Sequence, residues 1–277
     1  MIKLPNIKLS KTVLEKLQEF QGEVNRPSAF TEKSEKAKDL FKKKNKKGNK
    51  IFDAVKKGLT KMCSGARRCA YCEDSVGDEV EHIRPKSFFP EFCFVWENYV
   101  YACGNCNSPK GNKWAVFRDD TGKFYQVNLS PGIEPPKGQD ALINPRSENP
   151  MDYFILDFQK GTQNGMCRFV IIPTLSGKDK KKAKFTLKIL KLNKREFLRK
   201  GREEAYEDYA ARLDKYKNEK NGRNDQTKIK KMIRGIQRKQ HPTVWKEMQR
   251  HYLKGWLKII DEDLHNLFEE CPEALDW

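Results

Sequence analysis

Cys69-Ala70-Tyr71-Cys72 and Cys103-Gly104-Asn105-Cys106, separated by thirty residues, are the stretch on which the reading of this chain turns. In a C-x-x-C turn both thiolates face one ion, and two such knuckles complete a tetrahedral zinc site with no position left for a substrate. The spacing therefore predicts a structural Zn²⁺ held by Cys69, Cys72, Cys103 and Cys106. Zinc of this kind is worth on the order of 10 kcal/mol in isolated zinc-binding peptides, enough to hold a segment that has little core. Gly104 is expected to let the second knuckle take unusual backbone angles. Cys63 and Cys93 lie close enough in sequence to substitute as ligands, whereas Cys167 and Cys271 read as plain buried thiols. The Met1-Ile2-Lys3-Leu4-Pro5 start has no apolar signal core, and no run approaches the roughly 18 apolar residues of a membrane span. The expectation is a soluble cytoplasmic protein with no membrane partner, whose paired cysteines bind metal rather than form disulfides.

Outward from the knuckles, the chain divides into four regions: a basic helical region over 1–62, the cysteine-rich core over 63–117, an irregular β-rich extension over 118–177 and a basic helical region over 178–277. In the first, helices are predicted at 10–22, 32–44 and 50–62. The last of these carries Ile51, Phe52, Val55, Leu59 and Met62 along one face. The core has strand-like pieces at 80–83 and 99–102. Strands are predicted at 123–127, 153–157 and 167–172, and helices at 178–191, 194–218, 225–238, 242–253 and 255–270, with Pro242 in a favourable first-turn position. The fold class is α+β, a mostly helical chain around a small zinc-stapled core, with no internal repeat.

Between and after the cysteine pairs stand Glu81-His82-Ile83-Arg84-Pro85 and Asn107-Ser108-Pro109-Lys110, and His82 is the only histidine in the first 240 residues. A zinc-linked strand pair followed by a helix starting near Cys106 would bring His82 opposite Asn107 in the first helical turn. The gap between them would fit one divalent cation and one phosphate. Arg84 and Lys110 are candidates to neutralise phosphate oxygens. The order C-x-x-C, Glu-His-Ile, Trp96-x-Asn98, C-x-x-C-Asn, Lys resembles the HNH endonucleases of the ββα-metal fold, over about fifty residues with every element in sequence. That resemblance implies His82 as general base, Glu81 and Asn107 as ligands of a catalytic Mg²⁺ or Mn²⁺, and Asn98 as the middle residue that braces the loop and orients His82. It also implies products with a 5′-phosphate and a 3′-hydroxyl. Two departures stand out: Glu81 where Asp is commoner, and Asn107 where His is common. A neutral imidazole can take a proton from attacking water while a hard cation stabilises the leaving oxygen. The runs EHIRPKS over 81–87, CGNCNSPKG over 103–111, Leu142-Ile-Asn-Pro145 and LKLNKREFL over 190–198 narrow the likeness to the HNH subunits of Septu and retron-associated phage-defence systems. An ATPase subunit that restrains or triggers the nuclease is then the implied partner.

The charge agrees with a polyanionic substrate. The formal net charge is +18 with charged residues at 34%, and 16 Phe, 9 Tyr and 5 Trp speak against disorder. The surplus is uneven: +12 over 1–68, −3 over 69–117, −1 over 118–177 and +10 over 178–277. Basic flanks surround an acidic centre, and Lys42–Lys47 and Lys178–Lys184 are candidate phosphate tracks. DNA is the expected substrate, with tRNA or another RNA as the variant that the same chemistry allows. A zinc-dependent nucleic-acid-binding module without catalysis is the competing class, and it has no need of Glu81, His82, Asn98 and Asn107 together. A third class is an interaction subunit that docks through Trp245, Met248, Tyr252, Trp256, Ile259, Ile260, Leu264 and Phe268, although core packing explains most of such a stripe.

Overall fold

Three helices lead into the cysteine-rich segment: Lys11–Asn25 (α1), Phe30–Lys44 (α2) and Lys50–Lys61 (α3). The computed structural model describes residues 1–130, 132–159, 166–222 and 225–277. Each of these helices buries one apolar stripe. In α3 it is Phe52, Val55 and Leu59, and the Asn49 side chain starts the helix by accepting from the Ile51 and Phe52 amides. An N-cap of this type satisfies donors that the first turn leaves without partners.

The hairpin follows, Glu79–His82 (β1) antiparallel to Tyr99–Ala102 (β2), and then Gly104–Lys110 (α4). Its register sets Glu79 opposite Ala102, Val80 opposite Tyr101, Glu81 opposite Val100 and His82 opposite Tyr99. Successive strand residues point to opposite faces. One face therefore carries Glu79, Glu81, Val100 and Ala102, and the other Val80, His82, Tyr99 and Tyr101.

Two hydrophobic clusters meet at this hairpin. Val80, Tyr99 and Tyr101 pack with α1 to α3, while Val100 and Ala102 join the larger cluster that includes the knuckle cysteines and the C-terminal helices. That larger cluster is built on Trp114–Arg118 (β3), Phe124–Val127 (β4) and Gly138–Asp140 (β5), a sheet in the order β4-β3-β5, and on the pair Phe154–Asp157 (β6) and Arg168–Ile171 (β7). Periodicity does not reveal β3, because Trp114 through Phe117 are all buried and show no alternation. β5 runs so close to β3 that a Cβ on Gly138 would stand 2.3 Å from the Phe117 carbonyl oxygen.

The C-terminal region is helical: Gly177–Leu190 (α5), Glu196–Asn221 (α6), Gln226–Gln237 (α7), Pro242–Leu253 (α8), Leu257–Ile260 (α9) and Glu262–Glu270 (α10). The helix predicted over 255–270 is broken in two. Asp261 leaves helical geometry at φ −158° and its side chain accepts from the Leu264 amide, so it caps α10 instead of continuing α9. Of the aromatic and aliphatic stripe, Trp245, Met248, Leu264 and Phe268 are buried, whereas Ile259 is 89% exposed. The architecture is α+β, and among the described residues no helix is long and apolar enough to cross a membrane.

Candidate functional site

The two knuckles converge. The ligand atoms of Cys69, Cys72, Cys103 and Cys106 all lie within 4.8 Å of one another, and all four residues are buried. Cys72 and Cys103 sulfurs are 3.8 Å apart. A tetrahedron of Zn–S bonds of about 2.3 Å has edges of roughly 3.8 Å. The cluster therefore has the size, donor chemistry and enclosure to bind zinc. Contact with the Cys106 sulfur holds the Cys103 thiol below its ordinary value, and the same contact pushes Cys106 up.

Local backbone makes this geometry. The Asn107 amide donates to the Cys103 carbonyl at 2.8 Å, which winds the second knuckle directly into α4. Gly104 is not where the strain lies: it has no positive φ, and the left-handed residue is Glu73, with φ 64°, just after the first knuckle. Cys63 and Cys93 are not ligands in this arrangement. Their thiols bond to the Leu59 and Arg68 carbonyls and to the Ala37 carbonyl, respectively. Arg195 is an addition that spacing could not reveal, since it stands ninety residues downstream. Its guanidinium reaches the Cys106 sulfur at 3.2 Å and the Asn105 and Leu190 carbonyls at 3.1 and 3.0 Å, tying the second knuckle to the C-terminal region.

The hairpin face turned toward α4 is acidic. Asn107 Nδ2 donates to Glu79 Oε2 at 2.5 Å, and Lys110 Nζ donates to Glu81 Oε1 at 2.5 Å and to the His82 carbonyl at 2.8 Å. Lys110 is fully buried. It is thus not placed at a surface phosphate: a buried ammonium needs a counter-charge and acceptors, and here it receives both from β1. Glu79 is not among the residues that the motif in the sequence singles out. The Glu79-x-Glu81 alternation, which puts both carboxylates on one face, is the signal that points to it.

His82 lies on the other face, away from Asn107. Adjacent strand residues diverge, so Glu81 and His82 cannot both point at α4. The imidazole is 3% exposed, packed edge-on to Phe41 of α2 with ring centroids 4.4 Å apart and to Tyr99 at 5.2 Å. Nε2 lies 2.9 Å from the Cys93 carbonyl, to which the Tyr99 hydroxyl also donates. Because a carbonyl only accepts, Nε2 carries the proton of the neutral ring and the lone pair stands on Nδ1. Burial, and then the charge of Lys86, hold the imidazole well below its ordinary pKa of 6.5.

Asn98 ties down the loop between the strands. Its amide nitrogen donates to the Arg84 and Phe92 carbonyls at 3.1 and 3.0 Å, and its oxygen accepts from the Arg84 amide at 2.8 Å. That loop also carries the Cys93 carbonyl on which His82 rests. Arg84 pairs with Asp140 at 2.7 Å and lies over the Phe92 ring, which leaves its guanidinium partly exposed.

Fold and site together describe an α+β chain in which a four-cysteine clamp pins a short helix across an antiparallel hairpin with an acidic face. The chain is similar to the Septu protein PtuB of Bacillus thuringiensis, with 28% identity over 104 residues. The similarity covers 35% of this chain and 37% of PtuB, about a third of each. No family model matches the chain, and no solved structure matches it.

Proposed function

We propose that the chain is a metal-dependent HNH-type endonuclease, the DNA-cutting component of an anti-phage defence complex with an ATPase partner. The observation that carries the reading is the Glu79–Asn107 contact between the first strand and the first turn of α4, with Glu81 two residues along the same strand face. Zn²⁺ in the cysteine cluster would brace this arrangement without taking part in the chemistry. A hard cation, Mg²⁺ or Mn²⁺, would be held by Glu79, Glu81 and Asn107 and would stabilise charge on the leaving oxygen. Asn107 now offers its NH₂ to a carboxylate; rotation about its terminal bond turns the amide oxygen into the same position. Lys110 holds the Glu81 carboxylate fixed in direction.

In this reading His82 receives the proton of the attacking water at Nδ1, while Nε2 keeps its own proton and goes on donating it to the carbonyl of Cys93, in the loop that Asn98 ties down. For a substrate to reach it, Phe41 and the end of α2 must withdraw. The likeness to PtuB supports the defence role and the partner. The burial of His82 beneath Phe41 favours a second reading, a zinc-dependent nucleic-acid-binding subunit that does not cut.

Incubation with plasmid DNA and with total tRNA in Mg²⁺ or Mn²⁺, alone and with a Septu-type ATPase, separates these. Cleavage that disappears in both Glu81→Gln and His82→Ala, with zinc content unchanged, supports the nuclease. Full cleavage by either variant removes the site as drawn, and binding without cleavage under every condition leaves the second reading. Preferential cutting of tRNA would replace the substrate while keeping the chemistry.

A further inference from the structure

Helix α7 carries Lys228, Lys230, Lys231 and Arg234 and no acidic residue, and Arg238 follows at its C-terminus. Ile229 and Ile236 bury its apolar side, so the cations stand on the outside. They border an open groove of about 850 Å³ whose other wall, from α6, contributes Arg212 and Lys215; among the described residues no carboxylate lines it. Arg212 is paired with Asp208 at 2.8 Å, and Lys228 is paired with Glu219. Lys215, Lys230, Lys231, Arg234 and Arg238 are exposed and have no ion-pair partner among the described residues.

We propose that this groove is a track for the phosphate backbone of nucleic acid, gripped without regard to base sequence. Lys231, Arg234 and Arg238 share one side of α7 and span about 10 Å at 1.5 Å per residue. A DNA strand presents one phosphate about every 3.4 Å along its axis, so the row meets roughly three of them. Among the described residues no aromatic side chain lines the groove, which argues against the base-stacking platforms typical of single-strand binders. An acidic protein partner fits less well. Protein interfaces centre on buried aromatic or aliphatic anchors, and the exposed large apolar residues, such as Ile259, Leu253 and Phe197, do not line this groove.

The other basic runs are partly engaged. Lys182 is buried against Glu148, Lys44 lies 4.0 Å from the centroid of the Phe20 ring and Lys178 lies over Phe117. The groove also has a direction. Ser64, just ahead of the first knuckle, donates its hydroxyl to the Gln237 and Lys239 carbonyls at 3.1 and 2.9 Å. Gly65, at φ +70°, lies so close to Arg238 that a Cβ there would stand 2.0 Å from its carbonyl oxygen. One end of the cationic row thus abuts the segment that enters the zinc clamp, where Arg67 is exposed.

The inference rests on the nuclease reading for its purpose but is tested by binding alone. Affinity of the full-length zinc-loaded protein for a labelled 20-base-pair DNA duplex is measured from 50 to 200 mM salt, with no Mg²⁺ or Mn²⁺ added. Replacing Lys230, Lys231, Arg234 and Arg238 together by Gln makes the plot of log affinity against log salt shallower by about 3 to 4, at about 0.9 per lost phosphate contact. The matched replacement of Lys42, Lys43, Lys46 and Lys47 by Gln changes the slope by less than half as much. Equal slopes in both variants, no binding by the unaltered protein, or competition by polyglutamate as effective as by duplex DNA would each overturn the proposal. Loss of cleavage in Glu81→Gln with binding retained bears on the catalytic site and leaves the groove standing, whereas intact binding in the α7 variant removes the groove and leaves the catalytic site.

Discussion

The two faces of one four-residue strand have opposite chemistry. Toward α4, Glu79 and Glu81 meet an amide and an ammonium; toward α2, Val80 and His82 meet Phe41, Tyr99 and the rest of an aromatic cluster. The first face is held by charge and by the cysteine clamp, the second by close packing. The difference teaches why the candidate catalytic groups are divided: strand alternation assigns neighbours in sequence to different neighbourhoods in space. Movement of the N-terminal helices would uncover His82, and bringing it and Glu81 to one phosphate requires in addition that the end of β1 turn, because the two side chains leave the strand on opposite faces.

Removing the clamp gives the largest expected effect. Cys72→Ser with Cys106→Ser should abolish zinc retention and cost on the order of 10 kcal/mol at the α4 face. Hydrogen exchange should then show α4 and β1 unprotected while α3 keeps its protection; simultaneous loss in both would erase the distinction between the faces. Next comes the buried ion pair. Lys110→Met leaves Glu81 without its counter-charge and should lower unfolding stability by about 3–5 kcal/mol, as read from denaturant titration. Lys110→Met combined with Glu81→Leu should recover most of that loss, and a double variant as unstable as the single one would show that packing, not charge, matters at this position.

On the aromatic face, Phe41→Ala should cost about 3 kcal/mol and open the His82 pocket. Its sharper readout is the imidazole itself. Because burial lowers its pKa, the folded state resists the proton that the unfolded chain accepts near 6.5. The His82 contribution is therefore full above that pH and is lost as pH falls through it, by up to about 1.4 kcal/mol per pH unit. Phe41→Ala should move the NMR titration of His82 up toward 6.5 and flatten that slope; an unmoved titration would mean that Phe41 is not the cover. The smallest effect is expected at Ser34, whose buried hydroxyl donates to the Ser87 carbonyl at 3.0 Å and holds α2 on the loop. Ser34→Ala should cost about 1 kcal/mol in thermal unfolding.

Much of the molecule was legible from periodicity and punctuation. The hairpin strands, the helix ends at Asn49 and Pro242, and the convergence of the four cysteines follow from local signals that tertiary contacts reinforce. β3 was not legible, because a strand buried on both faces has no alternation to read. β5 escaped because a three-residue strand around Gly138 owes its existence to close approach to β3. The burial of Lys110 is not legible for a related reason: a lysine in the last turn of a helix looks exposed until a buried carboxylate is found opposite it. Arg195 had no signal in the cysteine segment at all.

By itself the sequence determined the zinc-type clamp, the α+β class and the acidic centre between basic flanks, since ligand spacing, hydrophobic period and charge are local properties of the chain. Only the tertiary structure decided that Glu79 touches Asn107, that Lys110 is consumed by Glu81, that His82 lies under Phe41 and that cations of α6 and α7 border one groove. Those facts depend on which face of a strand or helix a distant element covers, and the order of residues along a chain does not specify that covering without the packing of the whole.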